Sequence, residues 1–436
     1  MLAPARPRID YADLVHDDRV HGSVYYDPDI FADELEKIWY RQWVFIGHES
    51  EFPNPGDYRT ERIGLQPIII ARDSQQRIRV YFNRCRHRAN TVCEKRRGHA
   101  MTLTCCYHGW TYSIDGFLQG VPFHDDYGPH FKKQDRGLLE VPRVDSYRGF
   151  LFASLSAEGP SLREHLGLAT TLIDRYCDIS PSGEVAMNVG VFRMKVKTNW
   201  KMWIENSVDG YHVPSTHASN FYMAQMTENQ ALKQRTAAAG KGVFSVIRMR
   251  DLGGGHSELD MRPQRRITGM TYSSDWSQGV PEAAQRAYTD GVEARLGKER
   301  AAQVLTDGPA HAVVFPNLFL IFQDIRWCVP VSVNETYLYY AGTVLPGAPD
   351  EINQLRLRRE EGAYGPAGFQ LADDLEVWER NFRGLAARAD EWIDMSRGVG
   401  VPVTADEEGV PTQADLSELT IRAQWAHYRQ LMQAGR

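Results

Sequence analysis

Hydrophobic residues recur at helical spacing near the start of the chain. Phe31, Leu35 and Ile38 fall on one face of a helix. Asp27-Pro28 precedes them and supplies a capping carboxylate followed by proline at the first helical position. The pattern predicts a helix over residues 28 to 41, and we assign residues 1–40 to an N-terminal helical segment of a larger domain.

The next section of the chain contains short strand-like runs separated by turn residues. The dipeptide Asp115-Gly116 lies between Thr111-Tyr112 and Phe117-Leu118 and is a strong hairpin signal. We therefore predict a small all-β domain over residues 41–155. Its principal strands are predicted at Trp43–Gly47, Pro67–Ala71, Arg79–Asn83, Met101–Thr104 and Arg148–Ser154.

Helical and strand patterns are mixed in residues 156–436, which we predict to form the larger domain. Thr227–Asp307 is polar with little periodicity, so long loops and irregular helices are expected there. The predicted class is α+β, with the all-β domain inserted in a domain whose antiparallel sheet is covered by helices. Helices are predicted at Ser161–Cys177, from Trp200, at Asp350–Ala386 with an interruption near Gly362–Gly368, and from Leu416, and strands at Met187–Lys197, His311–Phe322, Ile325–Val333 and Glu335–Val344.

The length and net charge of the chain limit the classes of function that it can have. The chain has 436 residues and a formal net charge of -6, which argues against nucleic acid as the main partner, because duplex binding needs a basic surface. The N-terminus has no apolar segment typical of a signal peptide. No stretch reaches the roughly 18 apolar residues of a membrane span. We expect a cytoplasmic protein with no nucleic-acid or membrane partner.

Cysteine and histidine occur together at two points of the predicted all-β domain. Cys85-Arg86-His87 is followed by Cys105-Cys106-Tyr107-His108. Two thiols and two imidazoles can bind zinc tetrahedrally, or a [2Fe–2S] cluster with two Cys on one iron and two His on the other. Spacing alone also allows Cys106 in place of Cys105, because Cys106-Tyr107-His108 is itself Cys-x-His.

A second candidate metal site lies in the stretch from residue 205 to residue 217. It contains Asp209, His212 and His217. Two imidazoles and a carboxylate with open positions are the arrangement of non-haem Fe(II) enzymes that activate oxygen. In a helix, residues three apart share a face, so Asp209 and His212 would be neighbours. The alternative is two scattered histidines and a solvated aspartate.

Together these motifs resemble those of Rieske non-haem iron aromatic-ring-hydroxylating oxygenases. The resemblance rests on the run from Asn83 to Trp110, on Asn199-Trp200-Lys201, on Glu205-Asn206 and on Asp-x-x-His-x-x-x-x-His, and it extends over essentially the whole chain. It is strongest to the large (alpha) subunits of benzoate- and toluate-type dioxygenases. It implies a [2Fe–2S] cluster and one mononuclear Fe(II), with cluster ligands Cys85, His87, Cys105 and His108 and iron ligands His212, His217 and Asp374.

The resemblance also implies roles for residues beside the metals. Asp374 is chosen from the segment Phe369–Trp378, with Asp373 as the fallback. Asp209 is not an implied iron ligand; it is implied to bridge the iron site to the Rieske residue His108 of a neighbouring subunit. Candidate pocket-lining residues are Met202, Val208, Phe315, Asn317 and Phe369.

The implied activity is that of a terminal oxygenase. It uses O2 and electrons from NADH, delivered by a separate reductase or ferredoxin, to hydroxylate an aromatic ring. Cis-dihydroxylation of an aromatic carboxylic acid is expected, and a small beta subunit in an α3β3 assembly is the expected partner. The alternatives are a Rieske monooxygenase or demethylase, an electron-carrying ferredoxin and a non-enzymatic zinc protein.

Overall fold

The computed structural model describes residues 9–219, 222, 243–268 and 279–434. The chain forms two units, which we call the inserted unit (Trp39–Leu162) and the main unit (Met1–Ile38 with Arg163–Arg436). No helix within the described ranges combines the length and hydropathy needed to span a bilayer.

The inserted unit consists of three antiparallel sheets. The four-stranded sheet has the spatial order Ile78–Phe82, Gln66–Arg72, Asp57–Ile63, Arg97–His99. The two three-stranded sheets have the orders Arg143–Tyr147, Phe150–Ser154, Val44–His48 and Thr102–Thr104, Thr111–Ser113, Leu118–Gly120. Short 3-10 helices occupy Glu49–Glu51, His124–Asp126 and Lys133–Arg136.

The predicted hairpin at Asp115-Gly116 is confirmed, because the strands on either side of it pair antiparallel. Gly116 has a φ of +90°, and a Cβ there would lie 2.7 Å from the ring of Tyr81. The sequence pattern missed the strand Asp57–Ile63. The reason is a buried ion pair within that strand, Arg59 Nη1 to Glu61 Oε2 at 2.8 Å, which replaces the hydrophobic side chains that normally mark a buried strand.

The main unit contains a nine-stranded antiparallel sheet and a two-stranded sheet. The strands Arg19–His21 and Trp392–Asp394 form the smaller sheet. The spatial order of the larger sheet is Val191–Val196, Glu335–Gly342, Asp324–Ser332, Leu318–Ile321, Ala312–Val314, His256–Asp260, Arg248–Gly253, Pro411–Gln413, Thr404–Ala405.

Helices complete the main unit. Asp27 caps its first long helix, with Oδ1 accepting a hydrogen bond from Asp29 N at 2.8 Å, as the sequence predicts. A π-helical turn, Leu35–Trp39, continues that helix. The α-helices of the described residues are Ser23–Tyr26, Pro28–Glu34, Leu162–Leu166, Thr170–Asp178, Trp200–Ser207, Val213–Thr216, Arg262–Thr268, Glu282–Leu296, Lys298–Asp307, Asp350–Tyr364, Phe369–Gly384 and Leu419–Gln433, with 3-10 turns at Gly167–Ala169 and Val243–Val246.

The α+β prediction is confirmed, with two local corrections. The single strand expected at His311–Phe322 is wrong: it is a hairpin of two strands that turns at Phe315-Pro316, where the peptide bond is cis. The expectation of irregular structure in Thr227–Asp307 falls partly outside the described residues. Within them it is wrong, because a hairpin and three α-helices occupy much of the segment.

The missed hairpin, Arg248–Gly253 with His256–Asp260, carries charge where a buried sheet normally carries hydrophobic side chains. Arg250 is 1% exposed and its Nη1 donates to Glu258 Oε2 at 2.6 Å, while its Nε donates to Asp406 Oδ2 at 2.7 Å. Such paired charges make a buried strand look polar in the sequence.

Candidate metal centres

Two loops of similar conformation bring the predicted cluster residues together in the inserted unit. In one loop the carbonyl of Cys85 accepts a hydrogen bond from Ala89 N at 3.1 Å; in the other, the carbonyl of Cys105 accepts from Gly109 N at 3.0 Å. Ala89 and Gly109 both adopt positive φ, +61° and +71°. Each loop follows a strand. The two Cys-containing turns are thus held by the same backbone hydrogen bond, from the residue four positions later to the cysteine carbonyl.

The thiols of the two loops differ in exposure. Cys85 and Cys105 are 3% and 1% exposed, whereas the neighbouring Cys106 is exposed. Burial raises the pKa of the Cys105 thiol, but hydrogen bonds from the backbone of Tyr107, from Cys85 and from Asn90 outweigh it and lower the pKa. The site therefore favours a thiolate at Cys105, the form that binds metal.

The imidazoles of His87 and His108 lie side by side, with ring centroids 4.5 Å apart. His87 stacks on the indole of Trp110 at 5.0 Å, nearly parallel. The Nδ1 atom of His87 is buried and has no hydrogen-bond partner among the described residues. Two buried thiols and two adjacent imidazoles, one with an unpartnered nitrogen, fit a cluster that takes Cys on one iron and His on the other.

The helix Trp200–Ser207 positions the second candidate site in the main unit. Asn199 caps it, with Oδ1 accepting from Lys201 N at 3.1 Å. Glu34, fully buried, accepts hydrogen bonds from Trp200 Nε1 at 2.8 Å, from Lys201 Nζ at 2.5 Å and from Tyr428 OH at 2.7 Å. This polar network ties the first turn of the helix to the N-terminal and C-terminal helices.

Three predicted ligand residues converge beyond that helix. One ligand atom from each of His212, His217 and Asp374 lies within 4.8 Å of the others. Asp374 Oδ1 is 3.3 Å from His217 Nε2 and 3.7 Å from His212 Nε2. The same oxygen is buried and accepts no hydrogen bond of normal geometry from the part of the chain that the structure describes. The three atoms therefore face a common point, which fits a cation between them.

The other nitrogen of each histidine faces a carboxylate. His212 Nδ1 lies 3.2 Å from Asp209 Oδ2, and His217 Nδ1 lies 3.3 Å from Asp373 Oδ2. Burial lowers the pKa of His217, but Asp374 and Asp373 outweigh it and raise the pKa. Carboxylates on the outer nitrogen orient a metal-binding imidazole and increase its basicity. The structure thus pairs Asp373, the fallback ligand, with the outer side of His217.

Two imidazoles and one carboxylate leave several coordination positions free. This is the donor set of non-haem Fe(II) sites that activate O2. Of the predicted pocket-lining residues, Met202, Val208, Phe315 and Asn317 are buried; the side chain of Phe369 lies outside the described part of the chain.

Sequence reasoning missed three polar groups of the main unit, of which His311 is half-buried and Arg326 and Glu360 are buried. His311, Arg326 and Glu360 were not singled out, although Arg326 is 4% exposed and pairs with Glu360. Alternation along the strand Asp324–Ser332 was the available signal, because it places Asp324 and Arg326 on the same face of the sheet.

Comparisons with known proteins agree with this geometry. Residues 42–144 match the Rieske [2Fe-2S] domain family, and residues 184–433 match the family described as the ring hydroxylating alpha subunit (catalytic domain).

Whole-chain relatives extend the match. The 2-halobenzoate 1,2-dioxygenase large subunit of Burkholderia cepacia is 31% identical, covering 91% of this chain and 84% of the relative. The anthranilate 1,2-dioxygenase large subunit of Acinetobacter baylyi is also 31% identical, covering 87% and 80%. A structure of naphthalene 1,2-dioxygenase with indole bound in the active site superposes with a TM-score of 0.81 at 27% identity, covering 96% of this chain and 93% of that one.

Proposed function

This chain belongs to the family of aromatic-ring-hydroxylating dioxygenase alpha subunits, and from that premise we propose its substrate class, its working residues and its partners. The observation that carries the proposal is the convergence of His212, His217 and Asp374 on one point of the main unit. That geometry supplies a site for the mononuclear Fe(II) of the family, and the inserted unit supplies the donor set for its [2Fe–2S] cluster.

The proposed substrate is an aromatic carboxylic acid. Two relatives at 31% identity are named for 2-halobenzoate and anthranilate, both of which are aromatic carboxylates. Relatives named for naphthalene and biphenyl are 29% and 31% identical, so an aromatic ring is common to all of these names. The proposed product is a cis-dihydrodiol. A single hydroxyl group or a lost methyl group in the product would instead identify a monooxygenase or demethylase.

The proposed site residues bind the metals or orient the residues that bind them. Cys85, His87, Cys105 and His108 hold the cluster, and His212, His217 and Asp374 hold the iron. When bound, the cluster passes single electrons and the iron activates O2 for attack on the ring. Asp209 and Asp373 accept hydrogen bonds from the outer nitrogens of His212 and His217 and so fix the orientation of those rings.

The proposed partners are an electron donor and a structural subunit. Electrons from NADH reach the chain through a separate reductase or ferredoxin. A small beta subunit in an α3β3 assembly is proposed as the structural partner. In that assembly Asp209 bridges the iron site and His108 of a neighbouring subunit. We propose residues 41–155 as the electron-accepting domain and the remainder of the chain as the catalytic domain, in the cytoplasm.

The test is metal analysis of the purified chain and of His212→Ala. The wild type should contain about three irons and two labile sulfides per chain, because the cluster takes two irons and the mononuclear site one. His212→Ala should lose about one iron and all turnover while retaining the visible and EPR spectra of the cluster. Zinc without sulfide in the wild type would contradict the proposal, as would loss of the cluster in His212→Ala.

The role of Asp209 needs a separate experiment. Asp209→Asn should keep both metals but slow electron transfer from reduced cluster to iron, measured in a single turnover with prereduced protein. Asp373→Asn, saturated with Fe(II) before the measurement, is the matched control, since it changes the carboxylate beside the other histidine. Equal single-turnover rates in wild type and Asp209→Asn would remove Asp209 from the electron path.

A further inference from the structure

One face of the nine-stranded sheet lies against the helix Trp200–Ser207. The register pairs Val313 with Phe319 and Phe319 with Arg326, so these three side chains share a face. His311, two positions before Val313, belongs to the same face, and its ring centroid is 5.1 Å from that of Phe319. This face therefore combines aromatic and polar side chains.

The helix connects that face to the iron-site residues. Trp203 meets Phe319 edge to face, with centroids 6.2 Å apart. At the end of the helix the carbonyl of Ser207 accepts a hydrogen bond from His311 Nε2 at 2.9 Å. His212, one of the proposed iron ligands, follows Ser207 by five residues in the chain. His311 thus lies near the iron site.

The hydrogen bond to Ser207 fixes the tautomer of His311. A carbonyl oxygen can only accept, so Nε2 carries the proton. Burial lowers the pKa of His311 to about 3, which keeps the ring neutral and leaves a lone pair on Nδ1. That atom is buried and has no hydrogen-bond partner among the described residues. An unpaired buried acceptor is unfavourable because it has lost its hydrogen bonds to water, so a hydrogen-bond donor on a ligand would be stabilised there.

The charged groups on the same face offer no uncompensated positive charge. Arg326 Nε donates to Asp324 Oδ2 at 2.8 Å, and its Nη2 donates to Glu360 Oε1 at 3.1 Å. The guanidinium also lies 3.9 Å from the ring centre of Tyr364. One guanidinium therefore faces two carboxyl groups. Within the described ranges, Asp324 Oδ1 is a further buried acceptor with no hydrogen-bond partner, so both unpaired atoms found on this face are acceptors.

We propose that His311 Nδ1 accepts a hydrogen bond from an amino or hydroxyl substituent of the aromatic substrate, and that the enzyme consequently prefers rings carrying such a donor. The rings of Phe319 and Phe322 lie near that of His311, with centroids 5.1 and 6.0 Å away, and provide apolar surface for the substrate ring. This inference rests on the proposed function, because it requires an aromatic ring to bind beside the iron ligands.

The test compares ligands that differ in the donor alone. Binding of the three aminobenzoate isomers and the three methylbenzoate isomers to the assembled holoenzyme is measured by calorimetry, together with kcat/KM for each. An amino and a methyl group are similar in size. In the wild type, at least one amino isomer should bind about 3- to 10-fold more tightly than its methyl counterpart. Equal affinities in all three pairs would overturn the inference without using any variant.

Two variants assign the preference to His311. His311→Phe removes the acceptor and should abolish the amino-over-methyl ratio, whereas His311→Asn should retain most of it. The amide oxygen of asparagine lies at about the position of Nδ1 in histidine and still presents an acceptor there. Iron content and the cluster spectrum report whether each variant is folded.

The outcomes separate this inference from the proposed function. An unchanged ratio in His311→Phe would overturn the inference while leaving the oxygenase activity in place. Failure of wild-type holoenzyme to bind or oxidise any aromatic acid would overturn the proposed function and this inference with it.

Discussion

The hydroxyl group of Tyr112 lies 3.3 Å from Cys85 Sγ and accepts a hydrogen bond from Arg86 N at 3.0 Å. A cluster-bound cysteine is a thiolate and has no hydrogen to donate. The Tyr112 hydroxyl must therefore be the donor of the hydrogen bond to the sulfur. Reduction adds negative charge to the cluster, which strengthens this bond. Hydrogen bonds to the sulfurs therefore raise the reduction potential, and Tyr112→Phe should lower it.

The size of the shift follows from the part of the hydrogen-bond energy that is gained on reduction. We take this part as about 0.5–1.5 kcal/mol, the net range for an intramolecular hydrogen bond. For a one-electron couple, about 59 mV corresponds to about 1.4 kcal/mol. Tyr112→Phe should therefore lower the potential by about 20–65 mV.

The assay is a redox titration followed by the visible absorption of the cluster. Tyr81→Phe is the matched control, because Tyr81 is also buried but its hydroxyl donates to the Ile114 carbonyl at 3.2 Å instead of to a sulfur. Its potential should stay within about 10 mV of the wild type, since no hydrogen bond to a cluster ligand is lost. An unchanged or higher potential in Tyr112→Phe with an intact cluster would refute the reasoning. Equal shifts in both variants would show that loss of a buried hydroxyl, and not the bond to sulfur, is responsible.

Three further predictions concern the metal ligands and the buried network. Cys105→Ser should destroy the cluster spectrum while Cys106→Ser leaves it intact, and the reverse result would move the ligand by one residue. Asp373→Asn should weaken iron binding about 10- to 100-fold, measured by competition with a chelator, because the outer carboxylate supports His217; undiminished affinity would contradict this role. Lys201→Met should destabilise the main unit by about 3–5 kcal/mol in urea denaturation, because Glu34 is left buried without its cation, and combining it with Glu34→Gln should recover part of the loss.

The metal motifs are readable from the sequence because their residues are close along the chain. Cys-x-His, Cys-x-x-His and Asp-x-x-His each occupy a single loop or helix end, so local spacing places their side chains together. The helix starting at Trp200 was also predictable. By contrast, Glu34 lies far from Lys201 in sequence, and only the packing of the N-terminal helix brings the two together.

The strands that carry buried charge could not be recognised from hydrophobic patterning. The strand Asp57–Ile63 and the hairpin Arg248–Gly253/His256–Asp260 pair their charges inside the fold, as Arg59 with Glu61 and Arg250 with Glu258. A sequence gives the charges but not their partners. Strand prediction therefore failed in these two segments, whose buried side chains include paired charges.

The two adjacent aspartates show why ligand choice also needs the fold. Successive residues of an α-helix point about 100° apart, so Asp373 and Asp374, in the helix Phe369–Gly384, must face different surroundings. Asp374 reaches Nε2 of both histidines, whereas Asp373 reaches Nδ1 of His217. The sequence can name the pair, but only the rotation of that helix against the His-containing loop decides which carboxylate faces the metal and which supports the imidazole. The same reasoning applies to His311. Only the fold shows that its Nε2 donates a hydrogen bond to the Ser207 carbonyl, which leaves Nδ1 as a neutral acceptor.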